Sequence, residues 1–195
     1  MPLAVLLPAM LAFVLSGSPQ GGQRVLLEIR VFDGPEEVTG QTRVVVHAAG
    51  DRSQAVVESP TGTAPIELRV AEGIYDAQAI QERDGQVVNI QWANRLVVMK
   101  YPDEGGRHLE VLNFRSGFGA LQIRAPDGSP PAVTLHASGQ RETAAGPVTG
   151  PGYALFVVPA GIYAVTVKRE GQPIRHDGIE VPRDRTRLWI VPAAK

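Results

Sequence analysis

The chain has 195 residues, of which 44% are hydrophobic, with 19 basic and 20 acidic side chains giving a net charge of −1. That apolar share suits a globular chain rather than a disordered one, and the near-neutral balance provides no field to recruit nucleic acid or an acidic membrane surface. Cysteine is absent, which excludes disulfides, thiolate metal sites, cysteine-linked lipid anchoring and cysteine nucleophiles together.

The N-terminus opens on an apolar run, Leu3 to Leu15, interrupted by Pro8 and followed by Ser16-Gly17-Ser18. The run falls short of the roughly 20 residues that a membrane span needs. Small residues at Ser16 and Ser18 suit a signal-peptidase site. Residues 1–18 are therefore expected to be a signal peptide, with an uncleaved anchor or a misassigned start codon as the alternatives. The mature chain would then have no membrane span and would lie in the periplasm or outside a bacterial cell.

Beyond the leader, alternation replaces helical periodicity. Arg43 to Ala48 puts Val44, Val46 and Ala48 on one face and Val45 and His47 on the other. Ile66-Glu67-Leu68-Arg69-Val70 alternates in the same way, as do Ala132 to Ala137 and Tyr163 to Val167. Turn residues punctuate these runs at Asp33-Gly34, Asp84-Gly85, Asp127-Gly128 and Gly150-Pro151-Gly152. With 21 glycines and 16 prolines, breakers occur too often for long helices. The expected class is an all-β sandwich.

Several phrases occur twice. Leu27-Glu28-Ile29-Arg30 with Asp33-Gly34 returns as Leu121-Gln122-Ile123-Arg124 with Asp127-Gly128. Val46-His47-Ala48-Ala49-Gly50-Asp51-Arg52 returns as Leu135-His136-Ala137-Ser138-Gly139-Gln140-Arg141. Val70-Ala71-Glu72-Gly73-Ile74-Tyr75 returns as Val158-Pro159-Ala160-Gly161-Ile162-Tyr163, and Gly85-Gln86 as Gly171-Gln172. The order is kept while the offset drifts, as loop-length change does to a duplicated unit. Two tandem domains are expected, at 24–114 and 119–192, joined by Arg115-Ser116-Gly117-Phe118. The first is longer between Gly85 and Pro102, where the extra stretch includes Gln91-Trp92-Ala93-Asn94-Arg95.

The segment Phe156 to Val167, an apolar strand, a Pro-x-Gly-x-Tyr turn and a second alternating strand, resembles the carboxypeptidase-regulatory-like domains. The opening Gly119 to Ile123 with Asp127-Gly128, and the closing Gly178 to Val181 and Leu188 to Val191, resemble the start and end of that unit. The resemblance implies a transthyretin-like or Ig-like β-sandwich in each half and a noncatalytic accessory role in an exported protein. Within it, Gly161 is expected to permit a tight turn, and Tyr163 to bury its ring while its hydroxyl reaches a loop carbonyl. The pattern departs from the usual form at Thr149-Gly150-Pro151-Gly152-Tyr153. The hydroxyisourate hydrolases share the fold and carry a Tyr-Arg-Gly-Ser ending that helps form their site. The residues here are Val191-Pro192-Ala193-Ala194-Lys195, so that hydrolase reading is disfavoured. The noncatalytic role implied by the resemblance is the expectation: no enzymatic activity.

The four histidines stand without a second histidine at ligand spacing or a carboxylate arrangement, and His47 and His136 hold equivalent outward places. The acidic pairs Glu36-Glu37 and Asp103-Glu104 lack Asp-x-Asp-x-Asp spacing, and Gly-x-Ser-x-Gly is missing. Neither a cofactor nor a metal is expected. Alternation places Arg183, Arg185, Arg187 and Trp189 on one face, with Leu188 and Ile190 inward. Arginine forks suit carboxylates and phosphates, and an exposed indole stacks on sugars or on Arg planes. Trp92 with Asn94 and Arg95 forms a second aromatic-basic group; the bland alternative is that either tryptophan caps its own core or the interdomain seam. The candidate binding residues are therefore Trp92, Arg95, Arg185, Arg187 and Trp189. The expected function is an exported binding module that contacts a protein or glycan at the cell envelope. A structural spacer that associates through sheet edges is the alternative.

Overall fold

The computed structural model describes residues 24–100, 106–139, 146–168 and 172–192. The leader 1–18, the pair Asp103-Glu104 and the repeat members Gln140, Arg141 and Gly171 lie outside the described residues. The fold is all-β, and among the described residues the one helical turn is a 3-10 turn at Thr39–Gln41. The first eight strands are β1 (Arg24–Asp33), β2 (Glu36–Glu37), β3 (Thr42–Ala48), β4 (Asp51–Glu58), β5 (Ile66–Ala71), β6 (Gly73–Arg83), β7 (Gln86–Val98) and β8 (Arg107–Asn113). The rest are β9 (Phe118–Arg124), β10 (Val133–Ala137), β11 (Val148–Gly150), β12 (Tyr153–Pro159), β13 (Gly161–Val167), β14 (Ile174–Val181) and β15 (Thr186–Ile190).

Four sheets result, and none mixes strands from before Asn113 with strands after it. One sheet centres on β1, which pairs antiparallel with β2 and β5 and parallel with β8. Its partner runs β4-β3-β6-β7. In the other half, β11-β12-β9-β15 faces β10-β13-β14. The repeated phrases fall on matching strands: Leu27 to Arg30 on β1 and Leu121 to Arg124 on β9. Each of these has the last strand of its half in parallel beside it, β8 and β15 respectively.

Each half packs its two sheets around a core. In the first, Val25, Leu27, Ile29 and Val31 of β1 meet Val44, Val46, Ala77 and Ala79. In the second, Leu121 and Ile123 meet Leu135, Phe156, Val165 and Val181. A third cluster joins the halves, with Phe32 and Leu109 against Ala120, Tyr153, Leu155 and Val157. The β1 and β12 strands are thus buried on both faces, so they read as nearly continuous apolar runs instead of alternating ones. Burying the opposite face of β1 also carries Glu28 and Arg30 inside. Charges there need partners, because desolvating an unpaired one is costly. Glu28 accepts from Arg30 Nε at 3.1 Å, from Arg107 Nη1 at 3.4 Å and from the Tyr153 hydroxyl in a short hydrogen bond. Arg30 also donates to the Tyr153 hydroxyl at 2.9 Å and to Glu37 at 3.0 Å. Burial, followed by the bond and charge of Glu28, pushes the Tyr153 hydroxyl well above the ordinary tyrosine range.

Two local expectations take specific form here. Tyr163 donates its hydroxyl to the Pro159 carbonyl at 2.6 Å, and Tyr75 does the same to Ala71 at 2.8 Å, four residues back in each case. Gly161, by contrast, needs no left-handed backbone. A Cβ there would stand 3.6 Å from the Tyr163 ring, an ordinary contact.

The expected inward placing of Leu188 and Ile190 is reversed. Parallel pairing sets Arg187 beside Leu121 and Trp189 beside Ile123, and paired residues share a face. Leu121 and Ile123 point into the second core, so Trp189 turns inward and packs on that core, while Ile190 is 42% exposed.

Candidate functional site

The site begins with an irregularity in β7. Pairing with β6 sets Tyr75 opposite Leu96 and Ala77 opposite Ala93, so Asn94 and Arg95 together oppose Asp76 in a β-bulge. Arg95 takes the left-handed backbone conformation, φ 57°, which costs a residue with a Cβ roughly 1–2 kcal/mol. The carboxylate of Asp76, 4% exposed, accepts the Arg95 backbone N–H at 2.9 Å, together with Gly50 N–H at 3.4 Å and Arg52 Nε at 3.3 Å. The Arg95 bond first, helped by Gly50 and Arg52, holds the Asp76 carboxyl below the usual carboxylate range. Arg52 reaches Asn94 Oδ1 as well, and its guanidinium lies 3.9 Å from the centre of the Trp92 ring. The His47 imidazole packs 5.7 Å from the same ring. The indole of Trp92 is therefore engaged within the protein.

The opposing wall comes from the second half. Gly119 of β9 has no room for a Cβ, because the Pro182 carbonyl occupies that place. This close approach draws the turn before β15 onto β9. Asp184 donates its N–H to Phe118 O at 2.8 Å, and Arg185 O accepts from Ala120 N at 3.0 Å. Asp184 is also left-handed, φ 55°. Thr186 Oγ1 then accepts the Val111 N–H of β8 at 3.1 Å, tying the turn to the first half.

Between these walls lies a cleft of about 660 Å³, lined by Gln91 to Val97 of β7, by β8, by Phe118 to Ala120 and by Asp184 to Thr186. It brings Arg95 and the Trp92 segment together with Arg185. Both arginines are exposed, and neither has a carboxylate within 4 Å among the described residues. Of the lining acids, Glu110 is held by His108 Nε2 at 3.0 Å. That histidine-carboxylate arrangement was not expected; its sequence signal is the two-residue spacing on one strand face. Two of the three left-handed non-glycine residues described in the chain line this cleft.

Arg187 and Trp189 lie elsewhere. Arg187 donates to the Glu180 carbonyl at 3.0 Å, and Trp189 meets His176 edge-on at 5.2 Å. A smaller cavity of about 450 Å³ at the far end of the second half is lined by Pro126, Pro130, Pro131, Val167, Lys168 and Val191. Among the described residues no group of three or more His, Asp or Glu could hold a metal ion. Among them, too, no helix is long and apolar enough to cross a membrane.

No protein-family model matches the chain, and no curated protein matches its sequence. Among solved structures, the TIE protein of Bacillus anthracis aligns at 17% identity and a TM-score of 0.32. That alignment covers 86% of this chain and 33% of the other, so the chain spans a third of that protein's length. A candidate adhesin from Bacteroides ovatus aligns at 11% identity and a TM-score of 0.33, over 87% of this chain and 90% of its own.

Proposed function

We propose that this chain is an exported, noncatalytic binding module built from two tandem transthyretin-type sandwiches of the carboxypeptidase-regulatory-like kind. Its partner at the cell envelope binds in the cleft between Arg95 and Arg185. The observation that carries the reading is the convergence on a single concave surface of two arginines, one from each half, that have no carboxylate within 4 Å among the described residues. Recognition sites are typically concave with a few placed polar groups, and a strained left-handed residue held by a buried carboxylate is a common mark of one. The matching strand positions of the repeated phrases support the duplication, and the apolar run at Leu3 to Leu15 supports export. The noncatalytic reading is supported by the resemblance of Phe156 to Val167 to noncatalytic accessory domains.

The test is retention of an envelope fraction on the immobilised chain. Arg95→Gln with Arg185→Gln should reduce retention by about tenfold or more, the usual effect of losing central arginine contacts. Trp189→Phe should leave it unchanged. Equal retention by the folded double variant would refute the cleft as the contact.

The spacer reading draws on one observation. β7 is an outer strand of its sheet and exposes Val87 and Ile90 at 54% and 53%. Edge strands of this kind pair with copies unless blocked, so this reading requires concentration-dependent oligomers in sedimentation.

A further inference from the structure

We infer that the cleft takes an extended, acidic segment of another polypeptide. The inference rests on the cleft reading above and names its ligand. Charge is the first ground. The lining carries two guanidiniums and two carboxylates, Glu110 and Asp184, and Glu110 already bonds His108. The planar forks of Arg95 and Arg185, with no carboxylate within 4 Å among the described residues, match incoming carboxylates in paired hydrogen bonds.

The nature of the walls is the second ground. Among the described residues β7 pairs only with β6, and β8 only with β1. Both strands therefore turn an edge away from their sheets, and both line the cleft. The edge of β8 points at the opposite wall, since its Val111 N–H bonds Thr186 there. Strand edges recognise extended peptides through main-chain hydrogen bonds, with side-chain pockets adding selectivity.

The aromatics decide against a glycan. Sugar rings need an open indole face, but Arg52 stacks on Trp92 and Trp189 packs on the second core. Phe118, the other aromatic in the lining, packs on the cluster between the halves. Preorganisation completes the case. The bulge and the Asp76 bond fix the backbone of Arg95 before any ligand arrives, which lowers the ordering cost of binding.

The experiment pans a displayed library of random dodecapeptides on the immobilised full chain, at low and at high salt, beside an array of oligogalacturonates. Enriched peptides should be rich in Asp and Glu and lose binding at high salt. They should bind R95Q/R185Q about tenfold or more weakly, and R95G serves as a second variant should the double variant fold poorly. Enriched peptides without acidic residues, or with equal affinity for the folded variants, would overturn the inference. Arginine-dependent binding of oligogalacturonate with no peptide enriched would overturn the peptide class while leaving the cleft reading intact. Failure of both probes alongside arginine-dependent envelope retention would overturn this ligand assignment alone. Loss of that arginine dependence would remove the cleft reading with it.

Discussion

Replacing Arg95 with glycine separates stability from binding at one position. At φ 57° a side chain costs roughly 1–2 kcal/mol, whereas glycine's extra freedom in the unfolded chain costs about 0.5–1 kcal/mol. The Asp76 hydrogen bond goes to the backbone N–H, so it survives the substitution. The side chain is exposed and makes no ion pair among the described residues, so little else is lost. The net expectation is a gain of about 0.5–1 kcal/mol, or a rise in Tm of roughly 1–4 °C for a chain of this size. Binding by the cleft should fall about tenfold or more in the same protein. Calorimetry gives the first quantity and a binding titration the second. Asp84→Gly is the control. Asp84 is also left-handed, at φ 52° in the β6–β7 turn, but aspartate tolerates that conformation better and the turn does not line the cleft. Its gain should be smaller, with no change in binding. An Arg95→Gly protein less stable than the parent by more than about 1 kcal/mol would refute the strain argument. Unchanged binding would refute the role of the guanidinium.

Tyr153→Phe removes a hydroxyl bonded to both Glu28 and Arg30 at the buried junction, and should cost about 2 kcal/mol in denaturant unfolding; a near-zero change would mean that water replaces it. Gly119→Ala sets a methyl against the Pro182 carbonyl, so β9 and the turn must part. A loss of about 2 kcal/mol in unfolding and weaker cleft binding should appear together. Asp76 has a folded-state pKa below its unfolded value of about 3.9. The stability it contributes is complete above that value and is lost as pH falls through the folded one. Asp76→Asn should therefore flatten the acid limb of the stability profile, measured by unfolding between neutral and strongly acid pH; an unchanged limb would contradict the assignment.

Short-range chemistry was legible in the chain. The alternation of Arg43 to Ala48 and of Ile66 to Val70 gives strands because a pleated backbone sends successive side chains to opposite faces. The paired hydroxyl bonds of Tyr75 and Tyr163 are local in the same way, since each carbonyl lies four residues upstream in the same turn. Arg95 and Arg185 stood out by residue type, but nothing in the sequence set them across from one another. Arg52, Asp76 and Thr186 carry no functional mark in the sequence, because their roles depend on partners far along the chain.

By itself the sequence determined an all-β chain, the positions of most strands and turns, and two halves with common phrases. Tertiary structure decided which neighbour each strand face meets. Alternation states that two faces differ; it does not state which is inward, so β15 took its phase from Leu121 and Ile123 across the ladder. The bulge at Asn94-Arg95 exists only relative to the residues of β6 that it opposes. The cleft exists only because Gly119 lets the Pro182 turn close against β9 and carry Arg185 toward the first half.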